Sequence, residues 1–231
     1  VFQRAPLALA SLFGLFLFVG FVAMLLPGVG LLLTLASLPL LSLGFMLATH
    51  LVLQKKTPTA SVFIAPLQLT PERRRSQLAL CFSYALAMLL IGLLADWVDG
   101  GSTLALQKLI ADNADTEAIA LAATDPRLLW GLLTRLGLVT LLSVPYWHAP
   151  ALVHWGGQGV AQALFSSSLA LWRNRAAFVL NALLWGALLF AVAGVVSLVF
   201  GLLGLTQFAP MVLMATGLML STVFYASLYF S

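Results

Sequence analysis

Charge is scarce in this chain. Of its 231 residues 8% are charged and 62% hydrophobic, where a soluble domain carries about 25% charge and about 45–50% apolar residues. A water-facing globule is therefore excluded, and most of the surface must meet lipid. Cysteine is almost absent. The single Cys81 rules out a disulfide within the chain and the paired-cysteine metal pattern, and it reads as a small apolar core residue. Carboxylates are missing from the apolar runs, which removes the usual carriers of a transmembrane proton relay.

Recognisable reaction motifs are missing too. Gly156-Gly157 and Gly159 are not followed by the lysine of a phosphate-binding loop. Ser166-Ser167-Ser168 has no elbow motif around it and reads as a polar helix face. His148 and His154 stand six apart rather than at the i, i+4 spacing of a helical metal pair. Their neighbours Tyr146, Trp147 and Trp155 suggest an interfacial aromatic belt. The run from Asp112 to Glu117 lacks the glycine and the twelve-residue spacing of a calcium loop. We expect no catalytic residue, no metal and no cofactor, hence a non-enzymatic protein.

What is present is a set of long apolar runs. A helix rises ~1.5 Å per residue, so about 20 apolar residues cross a hydrocarbon core. Six segments qualify: residues 5–26, 30–51, 78–95, 128–144, 176–200 and 208–230. The first is long for the apolar core of a signal peptide and is followed at once by a second, so it is read as an anchor. Pro27-Gly28 marks a tight turn between them. The expected fold is all-α, a single polytopic bundle of six transmembrane helices over residues 1–231. Pro39, Gly44 and Gly186 lie inside spans, where close helix contacts tolerate them.

The net charge of +4 arises from basic residues that flank the apolar runs rather than forming a stripe, so nucleic acid is not an expected partner. Arg4, Lys55, Lys56, Arg73, Arg74, Arg75, Arg173 and Arg175 fall on one side, with Lys108 and Arg127 on the other. By the positive-inside rule both termini are expected in the cytoplasm, taking the membrane to be a bacterial inner membrane. Six of the seven acidic residues lie between Asp96 and Asp125, in a loop (96–126) that would be periplasmic. Within it, residues 103–110 and 116–122 read as short helices capped by Ser102 or Thr103 and by Asp115 or Thr116. Asp96, Asp99, Asp112 and Asp115 are candidates for docking a basic partner.

Two cytoplasmic connections, residues 54–77 and 146–175, are too apolar for disorder and too long for turns. In the second, Ala161, Phe165, Leu169 and Trp172 share one helical face, as expected of an element lying on the leaflet. Each connection follows an inward span and closes on arginines, which suggests a parallel internal repeat. Arg73, Arg74, Arg75, Trp172, Arg173 and Arg175 are candidate contacts for anionic lipid headgroups or a partner. Arg135 is another, ~12 Å inside the fourth span, where it must be paired, hydrated or snorkelling; Asp96 and Asp125 are the nearby carboxylates. Membrane lipids and other integral membrane proteins are the expected partners.

The stretch from Ser143 through Pro145-Tyr-Trp-His-Ala-Pro-Ala-Leu152 to Trp172-Arg-Asn-Arg175 is the most distinctive part of the chain. It resembles a family of small proteobacterial inner-membrane proteins with a proline-aromatic-His-Ala-Pro-Ala-Leu signature. The layout is also similar to the six-helix membrane domains attached to glycerophosphodiester phosphodiesterases. The resemblance implies a fold and a compartment without an assigned reaction. Three roles stay open: an accessory subunit, whose small-residue run from Ala187 to Gly194 permits close packing; a small transporter or lipid-handling protein; and an enzyme acting on lipid.

Overall fold

The computed structural model describes residues 2–230, and among these there is no strand. The helices are α1 (Pro6–Met24), α2 (Gly30–Leu53), α3 (Ser61–Ile64), α4 (Pro71–Val98), α5 (Ser102–Ala111) and α6 (Thr116–Ala123). They continue with α7 (Pro126–Tyr146), α8 (Ala149–Gly156), α9 (Val160–Arg173), α10 (Arg175–Leu202) and α11 (Ala209–Ser227). Six are long and apolar enough to cross a membrane: α1, α2, α4, α7 running on into α8, α10, and α11. The chain is an all-α membrane protein. Its up-and-down course gathers Arg73–Arg75 and Arg173–Arg175 at one end of the bundle and the Asp96–Asp125 segment at the other.

Two boundaries differ from the sequence expectation in an instructive way. The third span starts at Pro71 rather than near residue 78, so Arg73, Arg74 and Arg75 sit on the first turns of α4. Proline at the helix start has its φ already set, and arginine is a good helix former whose long stem lets the charge leave the apolar surface. The helix therefore runs through the charge cluster. At the acidic end, the cap of α5 is Gly101 at φ 86°, not Ser102 or Thr103. The Asp99 carboxylate accepts from the Gly101 and Thr103 amides at 2.7 and 3.4 Å, and so covers the donors a capping hydroxyl would have taken.

Packing is concentrated toward the arginine-rich end. Leu9, Leu12 and Phe13 of α1 meet Leu41, Phe45 and Ala48 of α2, with Val62 of α3 and Ala226 of α11 closing the cluster. Phe13 and Phe63 each lie edge-on or tilted against Phe45, at 5.9 and 6.2 Å between centroids. A Cβ at Gly44 would collide with the Phe63 ring, so this glycine lets the α3 segment tuck against α2. A second cluster joins Leu80 of α4 to Ala149 and Val153 of α8 and Ala163 of α9. Since lipid is as apolar as these side chains, such contacts stabilise by dispersion and close fit rather than by removal from water.

The two candidate repeat units differ in packing. α2 and α4 lie along one another, sharing the Ala36, Cys81 and Ala85 cluster. α7 and α10 instead diverge around an open crevice. Helix α10 has no buried residue along its 28 residues. On α9, the face expected to lie on the leaflet is turned away from the bundle. Ala163, Ser167 and Leu171 are the buried residues, while Phe165, Leu169 and Trp172 are exposed. The contact face is the small-residue one because α8 and α4 approach closely there.

Candidate functional site: a lateral crevice with an arginine rim

The crevice begins with the break between α9 and α10. Asn174 ends α9, its backbone amide bonded to the Ala170 carbonyl at 3.1 Å, and Arg175 opens α10. The break turns the chain from lying across the bundle end to running along it. Helix α10 then meets the body through aromatic edges: Phe178 on Trp147 at 5.7 Å and Trp185 on Phe224 at 5.4 Å. Bulky rings hold the backbones apart, which small residues would not have done. The resulting space is about 370 Å³ and is walled by Thr140, Val144, Trp147, Phe178, Ala182 and Phe224.

The mouth carries the charge. Trp172 and Arg175 line the crevice and also an adjoining hollow at the helix break formed by residues 172–177. The Arg175 guanidinium lies 5.3 Å from the Trp172 ring centroid, a cation–π distance. Among the described residues, no carboxylate lies within ion-pair distance of Arg173 or Arg175. The wall is apolar and the rim is cationic. An amphiphile with a negative head matches both.

The other arginine cluster has a different use. Arg73 donates to the His154 carbonyl at 3.1 Å and lies over Gly157, whose φ of 64° suits glycine. Gln77, fully buried, donates to the Pro150 carbonyl at 2.7 Å. Ser167 accepts from the His148 amide at 3.1 Å and donates to the Val144 carbonyl at 3.2 Å. Arg73, Gln77 and Ser167 thus fasten the α8–α9 segment, while Arg74 and Arg75 stay exposed. The serine run is not simply a polar face: Ser167 is a buried tie between α9 and α7.

The three histidines all lie near Trp155, with His154 edge-on to its ring at 5.5 Å. His50 bonds the Tyr229 hydroxyl at 2.9 Å and stacks obliquely on Trp155 at 6.2 Å. His148 and Ser166 line a cleft of about 410 Å³ with Trp155 and Tyr229, and none of its lining residues is a carboxylate. Among the described residues, no group of three His, Cys, Asp or Glu could hold a metal. A smaller space of about 150 Å³ lies inside the bundle, where Tyr84, Tyr146 and Tyr225 face Ser42 and Ser143. Ser42 and Ser143 donate to the Pro39 and Thr140 carbonyls at 2.9 and 2.6 Å, and the Tyr146 hydroxyl bonds Ser83 at 2.7 Å.

At the acidic end the candidate docking residues divide. Asp112 and Asp115 are exposed, as is Glu117. Asp96 is held by Arg135 at 2.6 Å. Asp99 is 1% exposed, so it offers no surface to a partner. Its carboxyl is held below the usual carboxylate value, first by the Thr103 side chain, then by the Gly101 and Thr103 amides and the positive charge of Arg135. Asp125 is lowered likewise by the Arg127 amide and the Ser102 hydroxyl.

Sequence reasoning placed Trp172, Arg173 and Arg175 at headgroup level but missed the crevice behind them. Its walls come from α7, α9, α10 and α11, and no periodicity in one segment reports that two others diverge. The chain is 28% identical over 231 residues to a Burkholderia thailandensis protein named "Probable inner membrane protein", an alignment covering 99% of this chain and 84% of that one. No family model matches the chain. No solved structure matches it. Six apolar helices and this relative together make the protein a multi-pass inner-membrane protein.

Proposed function

We propose that the protein is a non-enzymatic accessory or scaffold subunit that packs against a larger membrane complex through α10, with both termini cytoplasmic. The supporting observation is the state of α10: none of its 28 residues is buried, whereas α2, of similar length, buries eleven. Gly186 and Gly194 have open space where a Cβ would be, so another helix can approach there. The exposed Asp112 and Asp115 provide a second contact, for a basic partner at the periplasmic face. The relevant test is purification in mild detergent. Wild type should travel with a partner at fixed stoichiometry, and Gly194→Trp should release it without changing expression. A monodisperse wild-type protein with no companion would sink this reading.

The crevice favours a second reading, a lipid-handling membrane protein. An apolar cleft with few convergent polar groups is the usual form of a ligand site, typically about 300–1,000 Å³. The cleft near His148 has no carboxylate among its lining residues to orient or activate a base, and so supports binding rather than reaction. Arg135→Ala separates a transport role from both readings: loss of uptake at normal expression would mark Arg135 as part of a substrate path.

A further inference from the structure

We infer that the crevice between α7 and α10 holds one acyl chain of an anionic phospholipid from the leaflet at the arginine-rich end, with its phosphate on Arg175 and Arg173. This deepens the lipid-handling reading and is independent of whether α10 meets a protein partner. The walls are mainly apolar or ring surface at chain depth, from Val144, Trp147, Phe178, Ala182 and Phe224, with Asn181 adding one amide and the Ser143 hydroxyl turned onto the Thr140 carbonyl at 2.6 Å. Thr140 does not interrupt that surface, since helix-interior hydroxyls of this kind bond their own backbone, here to the Leu136 carbonyl at 2.7 Å.

Charge decides which lipid. Arg175 lines both the crevice and the hollow at the α9–α10 break, and Arg173 lines the hollow. Neither is ion-paired among the described residues. A guanidinium presents a planar fork of donors matched to phosphate oxygens. Trp172 orients the Arg175 guanidinium from one face and leaves its edge free to donate. A zwitterionic lipid would bring its own cation to this rim and bind less well. The chain enters sideways from the bilayer, because α10 stands off from α7 along its cytoplasmic half.

The probes are dioleoyl phosphatidylglycerol and dioleoyl phosphatidylcholine, mixed equally in nanodiscs holding the full chain. Retained lipid is counted by native mass spectrometry after transfer to neutral detergent. Wild type should keep one phosphatidylglycerol, with a preference over phosphatidylcholine of roughly fivefold or more for each arginine engaged. Arg175→Gln should lower that preference about fivefold and Arg173→Gln combined with it should bring it close to unity, while Arg4→Gln, a cation removed from the same end but outside the crevice, should leave it intact. Ala182→Phe should reduce retention of both lipids. Equal retention of the two lipids by wild type would overturn the proposal, as would an Arg175→Gln protein that keeps its preference. If Arg4→Gln lowers the preference as much as Arg175→Gln, diffuse surface charge is responsible and the site is refuted. Loss of a protein partner with lipid retention unchanged would bear on the accessory reading alone.

Discussion

The guanidinium of Arg135 on α7 lies 2.6 Å from the Asp96 carboxylate on α4, with the two side chains 44% and 39% exposed. The pair joins antiparallel neighbours where the bundle leaves the hydrocarbon. Each charge is what makes the other tolerable there. In water such half-exposed pairs contribute about 0.2–1 kcal/mol. Next to lipid, a lone arginine would have to snorkel and a lone aspartate would protonate.

Double-mutant analysis of this pair should therefore show coupling. Asp96→Asn and Arg135→Gln should each lower the thermal unfolding temperature in detergent. The double variant should lose less than the sum of the two, by a coupling on the order of 1 kcal/mol. Strict additivity would mean that the pair contributes nothing.

Gly131 sets how closely α7 approaches that region. A Cβ built on it would stand 2.6 Å from the Asp99 Cβ, which is too near for any contact between carbons. Gly131→Ala should destabilise the protein by about 1–3 kcal/mol, the usual cost of overpacking. Gly137, one helix face away, has nothing within 4 Å, and its alanine variant should match wild type or gain slightly from helix propensity. Equal unfolding temperatures for the two variants would contradict the close approach.

Acid should loosen the same end. Asp99 and Asp125 are both held below the ordinary carboxylate pKa of about 3.9. A depressed folded pKa means that the unfolded chain takes up protons first as pH falls. The stability these groups contribute is thus complete above about pH 4 and is lost as pH drops from there through their folded values. Thermal unfolding between pH 7 and pH 3 should show this decline, and Asp99→Asn should start lower at pH 7 and fall less. An Asp99→Asn protein with the wild-type slope would show that Asp99 is not a source of it.

The parts visible in the sequence were those written within single segments. Span number, the bias of Arg73–Arg75 and Arg173–Arg175 to one end, and the existence of short helices at Ser102–Ala111 and Thr116–Ala123 each follow from local hydropathy and charge pattern. The buried roles of Asp99, Gln77 and Ser167 were not visible, because each depends on an element distant in sequence. Ser167 illustrates the point. In its own helix it is one of three serines, and only the approach of Val144 and His148 separates it from Ser166 and Ser168. The crevice has the same origin, since ring size at Trp147, Phe178 and Phe224 becomes a gap only when three helices bring the rings together.

Gln77 offers the sharpest energetic test of how the α8–α9 segment is held. Its Nε2 donates to the Pro150 carbonyl at 2.7 Å, and its Oε1 is buried with no hydrogen-bond partner among the described residues. Replacing it with methionine keeps most of the volume. The Pro150 carbonyl then loses its donor, at about 1–3 kcal/mol for a buried unsatisfied group. The same substitution also removes the orphaned Oε1, whose burial costs a similar amount. The two effects oppose, so Gln77→Met should lie within about 1 kcal/mol of wild type. Gln77→Ala loses the bond and opens a cavity at this fully buried position besides, and should cost about 2–5 kcal/mol as other large-to-small core changes do. Measured by thermal unfolding in detergent, a methionine variant as damaged as the alanine one would show that the hydrogen bond to Pro150, rather than packing, fastens α8 to α4.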